Sequence, residues 1–141
     1  MENIQLKRID GTVILEGKFK SIKDCLMKAI EKKINLSRIS LNNVDLSNVC
    51  LSNAALHGAS FIGVNLDNVN ARNVDFTHSI HKNKDGGLES TRTNFTNVSL
   101  NNADLRGSNL ILCNFTNVSL NNADLRGSNL KWTILDDKVE V

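Results

Sequence analysis

Residues 94–110 read NFTNVSLNNADLRGSNL, and residues 114–130 read NFTNVSLNNADLRGSNL again, an identity of seventeen residues at an offset of twenty. Twenty is four fives, and inside each copy a large apolar residue already recurs every five positions: Phe95, Leu100, Leu105, Leu110. A short fixed period held in register marks a solenoid, here one with four short sides to each coil.

The register extends outward from the copies. With the central residue of each pentapeptide called i, the series runs Leu36, Leu41, Leu46, Leu51, Leu56, Phe61, Leu66, Ala71, Phe76 and resumes at Phe95 through Leu135, and seventeen of the eighteen positions are Leu or Phe. Position i−2 is small or β-branched nearly throughout, as at Ile39, Val49, Ala59, Val98 and Ala123. Neither a strand period of two nor a helix period of 3.6 turns both positions inward every five residues; only a chain that bends at each pentapeptide does. Position i+2 is mostly Asn or Gly, the residues best suited to turns and to positive φ, which places the corners there.

Ahead of the repeats, residues 3–9 and 12–19 flank Asp10-Gly11, a pair that predicts a β-hairpin with a two-residue turn. Ser21 and Asp24 open a capping-box-like start, and Ile22, Cys25, Leu26, Ala29 and Ile30 share one stripe, predicting an amphipathic helix over 22 to about 32. The expected organisation is a single folding unit: residues 1–33 as hairpin and capping helix, 34–135 as repeats interrupted by a loop at about 77–92, and 136–141 as a charged tail.

NADLR, NNADL and HGASF resemble the motif of the pentapeptide-repeat family. That resemblance implies an all-β solenoid, a right-handed quadrilateral β-helix with Leu and Phe filling its interior, here with a small N-terminal β-hairpin plus α-helix cap. The leading hairpin and helix also resemble the N-terminal region of members found in phage and bacterial genomes.

Composition narrows the function classes. The 141 residues carry 17 Lys or Arg against 15 Asp or Glu, with no Pro and no Tyr. The repeat body is nearly neutral, lacking both the basic stripe of a nucleic-acid binder and the acidic rows of a DNA mimic. Three cysteines at no metal-like spacing argue for free thiols in a reducing compartment, and no signal-like or membrane-spanning run is seen, so the expected location is the cytoplasm of a bacterial or infected host cell. No nucleophile, base and orienting acid recur at a recognisable spacing, so no enzyme, no cofactor and no metal is expected. His78 and His81, three apart with no further ligands, do not make a metal pair.

Candidate binding residues lie where the repeat fails. The interruption gathers His78, His81, Lys82, Lys84, Asp85, Glu89 and Arg92 around Lys82-Asn83-Lys84-Asp85-Gly86-Gly87, and reads as a turn-rich loop, either an inserted segment or a degenerate coil. Between the copies, Ile111 and Leu112 occupy outward positions that are polar or Gly elsewhere. Trp132 follows Leu112 by twenty, so Arg92, Leu112 and Trp132 are expected to form one column.

These features point to a non-enzymatic scaffold that binds an unidentified protein partner, phage-encoded by the resemblance above. The best-studied members of the resembled family act as DNA mimics on type II topoisomerase, so modulation of DNA gyrase is an alternative, which the near-neutral surface opposes. A second alternative is an engineered or recombined variant with one duplicated coil. The open C-terminal coil suggests a homodimer or a protective charged tail.

Overall fold

The computed structural model describes residues 1–136. Each pentapeptide contributes one side of a coil. Parallel bridges join Ser40 to Ser60, Asp45 to Asn65, Cys50 to Asn70 and Ala55 to Asp75, so the four sides of one coil stack on the four sides of the next at an offset of twenty. The sides are two-residue strands or single bridges, because a chain that turns every five residues leaves no room for longer ones.

Each corner is a four-residue turn closed by a bond such as Val44 N–H to Leu41 O, 3.1 Å. Its third residue, position i+2, has left-handed φ, as at Asn43 (63°), Asn68 (59°), Asn102 (60°) and Gly107 (70°). Position i−1 holds the corner from outside. Asp45 Oδ1 accepts from Ser47 N–H at 3.0 Å, Asn65 Oδ1 from Asp67 N–H at 2.9 Å, and the same bond recurs at Asp75, Asn94, Asp104, Asn114 and Asp124. Asn and Asp therefore dominate i−1 because their side chains complete the turn, a local role beyond generic surface polarity.

The interior is filled by positions i and i−2. From Leu36 to Phe115 every i residue is buried, and each buried Leu or Phe contributes about 1.5–3 kcal/mol of transfer free energy. Phe61, Phe95 and Phe115 stack along one side, with ring centroids 5.1 Å apart at each step.

The N-terminal segment joins this stack directly. Strands β1 (Glu2–Arg8) and β2 (Val13–Phe19) form an antiparallel hairpin with a bulge at Leu6/Lys7, and β1 also pairs with β3 (Ile39–Ser40), the first strand of the coils. The expected two-residue turn is instead a four-residue one, Ile9 to Thr12, closed by Arg8 N–H to Thr12 O at 2.8 Å. Asp10 Oδ1 fixes it by accepting from Thr12 N–H, and Gly11 supplies φ 90°. Helix α1 (Ile22–Glu31) starts as expected, with the Ser21 side chain accepting from Asp24 N–H. It ends in paired bonds from Ile34 N–H to Ala29 O and Lys33 N–H to Ile30 O, with Lys33 left-handed. Cys25, Leu26 and Ala29 are buried in the same core as Leu36 and Ile39.

The interruption is neither an irregular loop nor a degenerate coil. Offsets are twenty throughout except across it, where Ser60 pairs with Asn94, Asn65 with Ser99 and Asn70 with Asp104 at an offset of thirty-four. Fourteen extra residues thus enter at one corner and fold as a second hairpin, β4 (Ser79–Lys82) antiparallel to β5 (Leu88–Thr91). The last two strands, β6 (Asn114–Phe115) and β7 (Ile134–Leu135), pair in parallel one coil apart.

A candidate binding edge

The four corners of the coil form four columns of left-handed residues, and three of them obey one rule. They hold Asn43, Gly63, Asn97, Asn117; Asn48, Asn68, Asn102, Asn122; and Asn53, Asn73, Gly107, Gly127. The fourth holds Arg38 (φ 58°), Gly58 (63°), Leu112 (64°) and Trp132 (57°), with the inserted hairpin emerging between Gly58 and Leu112. A left-handed conformation costs an ordinary L-residue about 1–2 kcal/mol, and such outliers gather where a surface is used. Every corner residue that is neither Asn nor Gly thus lies on this one edge.

Gly58 seats the hairpin. A Cβ there would lie 2.7 Å from Ser79 Cβ and 3.0 Å from Thr91 O, so the two ends of the insertion rest where a side chain is missing. Around this seat His57 Nδ1 meets Thr77 Oγ1 at 2.9 Å, Thr77 Oγ1 donates to Asp75 Oδ1 at 2.8 Å, and the buried Thr93 donates its hydroxyl to Thr77 O at 3.2 Å. The opposite end is organised by Asn83, whose Oδ1 accepts from Asp85 N–H (3.0 Å) and Gly87 N–H (2.9 Å), while Gly86 takes φ 83°.

Alternation along β4 and β5 gives the hairpin two unlike faces. Ser79, His81, Glu89 and Thr91 share the inner face, where Ser79 pairs with Thr91 and His81 with Glu89. Ile80, Lys82, Leu88 and Ser90 share the outer face, on which Ile80 is 64% and Leu88 73% exposed. These two apolar residues are absent from the candidates read in sequence; alternation about Asp85-Gly86-Gly87, had the segment been taken as a hairpin, is the signal that marks them.

A cleft of about 400 Å³ opens between the Ile9–Thr12 turn and this hairpin, lined by Asp10, Arg38, His81, Lys82, Lys84 and Glu89 among others. Arg38 Nη1 lies 3.4 Å from Asp10 Oδ2, and His81 Nε2 lies 3.5 Å from Glu89 Oε2. Bonds from Thr12, with Arg38 alongside, hold the Asp10 carboxyl down at about 2. Arg38 Nε and His81 Nδ1 are buried with no hydrogen-bond partner among the described residues, and so is His78 Nδ1.

The remaining candidates fall along the same edge. Lys82, Lys84 and Asp85 are exposed at the hairpin tip, and His78 is half-buried just ahead of Ser79. Arg92 Nη1 donates to Leu112 O at 3.0 Å, and Leu112 N–H donates to Lys131 O at 3.0 Å, which stacks Arg92, Leu112 and Trp132 one coil apart. Trp132 is 71% exposed. Ile111 is half-buried and its N–H bonds Asn109 Oδ1, so it follows the usual corner pattern. Asp136 Oδ2 accepts from Asn117 N–H at 2.7 Å; the rest of the charged tail, 137–141, lies outside the described residues.

Acids elsewhere on the rod are engaged. Asp104 and Asp124 alternate with Arg72, Arg106 and Arg126 in one ladder, with Arg106 and Arg126 each 2.7 Å from their aspartates. Asp67 accepts from Ser99 Oγ and from Asn101 N–H. Among the described residues no three His, Cys, Asp or Glu side chains gather as metal ligands, and no helix is long and apolar enough to cross a membrane.

The family profile described as Pentapeptide repeats (8 copies) matches residues 39–77 and 91–136, skipping the hairpin. HetL of the cyanobacterium Nostoc sp., a pentapeptide repeat protein involved in heterocyst differentiation regulation, is 30% identical over 68% of this chain, with a TM-score of 0.61. The chain spans 38% of HetL's length. Rfr23, a pentapeptide repeat protein of the cyanobacterium Cyanothece, is 26% identical over 73% of this chain and 65% of its own, at a TM-score of 0.33. QnrB1, a plasmid-mediated fluoroquinolone resistance protein, is 16% identical over 72% of this chain and 68% of its own at a TM-score of 0.19, a likeness that carries no functional argument. No curated protein matches the chain.

Proposed function

The chain belongs to the pentapeptide-repeat family, whose fold is a right-handed β-helical solenoid, and we propose that it acts as a non-enzymatic scaffold that binds a protein partner along its one irregular corner. A single observation carries this reading: three corner columns hold only Asn and Gly, while the fourth holds Arg38, Leu112, Trp132 and the inserted hairpin. Exposed Ile80, Leu88 and Trp132 supply apolar contact area beside Arg92 and two lysines, a composition that suits a protein interface. The N-terminal hairpin and helix act as the cap of the first coil, supported by their shared core and by Lys23 Nζ donating to Ser47 O at 2.9 Å. Three unpaired cysteines support a cytoplasmic location. The test is affinity capture by the full chain and by a chain lacking residues 78–91: loss of the partner on deletion supports the edge, and equal capture removes the hairpin from it.

Modulation of DNA gyrase by DNA mimicry is the weaker reading. A mimic needs rows of free negative charge, and here Asp45, Asp75, Asp104 and Asp124 are tied into corner turns and the last two are offset by arginines. A supercoiling assay in which the protein neither inhibits gyrase nor relieves a poison removes it. At the other end, Trp132, Ile134 and Leu135 are exposed on the last coil, which supports a homodimer there; light scattering that returns a monomer mass removes that part. The identical copies place the same residues in equivalent bridges, which is what a duplicated coil, natural or engineered, produces.

A further inference from the structure

The chain holds two Asp-Gly pairs, Asp10-Gly11 and Asp85-Gly86, and no Asn-Gly pair; every other aspartate is followed by a residue that carries a side chain. Each pair lies in the turn of a hairpin with its glycine left-handed, at φ 90° for Gly11 and 83° for Gly86. Glycine leaves the peptide nitrogen after the aspartate unshielded, and in both turns the space where a Cβ would stand is open. The two nitrogens are also held alike, Gly11 N–H donating to Arg8 O at 2.9 Å and Gly86 N–H to Asn83 O at 3.1 Å. What separates the pairs is the carboxyl.

Asp10 is tied at both oxygens. Its Oδ1 accepts from Thr12 N–H at 2.9 Å, and its Oδ2 lies 3.4 Å from Arg38 Nη1. Bonds of this kind fix the carboxyl in place and keep it ionised. A carboxyl held at about 2, against an ordinary value of about 3.9, presents about a hundredfold less of its neutral acid at neutral pH. Asp85 is exposed and spends only its backbone N–H on the turn, donating to Asn83 Oδ1 at 3.0 Å. Its carboxyl makes no hydrogen bond or ion pair among the described residues.

We infer that Asp85 is a site of spontaneous isoaspartate formation, and that the same dipeptide at Asp10 is protected by the contacts of its carboxyl with Thr12 and Arg38. The Gly86 nitrogen gives its proton to water and bonds to Asp85 Cγ, and the carboxyl OH leaves as water, closing a five-membered succinimide. Water then opens the ring. Cleavage of the nitrogen's bond to Cγ restores Asp85, and cleavage of its bond to the main-chain carbonyl carbon routes the backbone through Cγ. One water is released and one consumed, nothing is oxidised or reduced, and mass and charge are unchanged. The isoaspartyl form puts one extra carbon in the main chain between the residues that Asn83 ties together through Asp85 N–H and Gly87 N–H, so the tip of the β4–β5 hairpin loosens. None of this depends on a partner, so the inference stands apart from the scaffold reading.

The test is ageing of the full chain in neutral buffer at physiological temperature, with isoaspartate at each position read by electron-transfer mass spectrometry of its peptides. Asp85 is expected to convert at least about tenfold faster than Asp10, the scarcity of the neutral acid at Asp10 setting the scale. Asp85→Glu, whose longer side chain closes a six-membered ring much more slowly, is expected to remove the signal at that position. The same incubation in urea is expected to bring the two rates together, because the turn contacts are then gone and only the dipeptide counts. Arg38→Gln is expected to speed conversion of Asp10 in the folded chain and leave Asp85 unchanged; the urea arm carries the same comparison if this variant does not fold. Conversion of Asp85 no faster than that of the aspartates not followed by glycine overturns the site. Equal rates at Asp10 and Asp85 in the folded chain, or a difference that persists in urea, overturn the protection by Thr12 and Arg38.

Discussion

Phe76 and Phe95 stand on either side of the inserted hairpin and still pack edge to face, with ring centroids 5.1 Å apart and planes at 73°. The core closes beneath the insertion as though it were not there. Removing residues 78–91 joins Thr77 to Arg92 and restores a spacing of five between the two rings. The deleted chain is expected to fold and melt cooperatively within about 5 °C of the full one, since the deletion leaves the core columns intact. Circular dichroism melts decide it; loss of the transition shows that the hairpin is part of the core's support.

Gly58 carries two constraints that this deletion separates. In the full chain Gly58→Ala meets both the left-handed φ and Ser79 at 2.7 Å, and is expected to cost about 2–4 kcal/mol. Without residues 78–91 only the φ penalty remains, about 1–2 kcal/mol. Equal costs in the two backgrounds, measured by urea unfolding, contradict the seating of the hairpin on Gly58.

Trp132 holds φ 57° while 71% exposed, so it keeps a strained backbone and buries little. Trp132→Asn is expected to raise stability by roughly 0.5–1 kcal/mol in urea unfolding, because Asn tolerates this conformation well. A loss of stability shows that the indole packs more than its exposure indicates.

Asp124 is held at about 2, first by its bond with the Arg126 side chain. Its folded value lies below the ordinary carboxylate value of about 3.9, so its ionised form favours the folded chain. That contribution is complete above about pH 4 and is lost as pH falls through about 2. Asp124→Asn keeps an acceptor for Arg126 N–H and removes the charge, so stability is expected to fall less steeply between those limits. Melts across acid pH check it; an unchanged slope contradicts the role of the pair.

The three thiols differ in reach and in acidity. Cys50 is exposed and its thiol is pulled down by bonds with Ser52, whereas burial pushes Cys25 and Cys113 up. One fast modification by iodoacetamide, at Cys50, with the other two reacting only on unfolding, is the expected mass-spectrometric pattern. Modification of Cys113 at a comparable rate in the folded chain contradicts the packing of the Phe76 side, where its thiol donates to Phe76 O at 3.2 Å.

The coils were legible because their rule is local. A Leu or Phe at i, a small residue at i−2 and Asn or Gly at i+2 suffice to place Leu46 inward and Asn48 at a left-handed corner, and both are there. The second hairpin was not, because each of its four-residue strands carries one large apolar residue, too few to show a period of two. Its length hid it further, since nineteen residues from Phe76 to Phe95 mimic one coil and spacing alone does not separate an inserted corner from a degenerate turn. The cleft was less legible still: Asp10, Arg38 and His81 meet only because β1 pairs with β3 and the hairpin enters at the same corner, a consequence of topology with no trace in local pattern. The Arg92, Leu112 and Trp132 column followed directly from the period of twenty.

The most direct test of the binding edge is affinity capture with four proteins side by side: the full chain, the chain lacking residues 78–91, Trp132→Asn, and a control in which Asn68 and Asn102 on an all-Asn corner are changed to Gly. The account predicts that the partner is lost from the deletion, weakened by Trp132→Asn and retained in full by the control. Loss from the control with retention by the deletion would place recognition on the regular faces of the rod and contradict it.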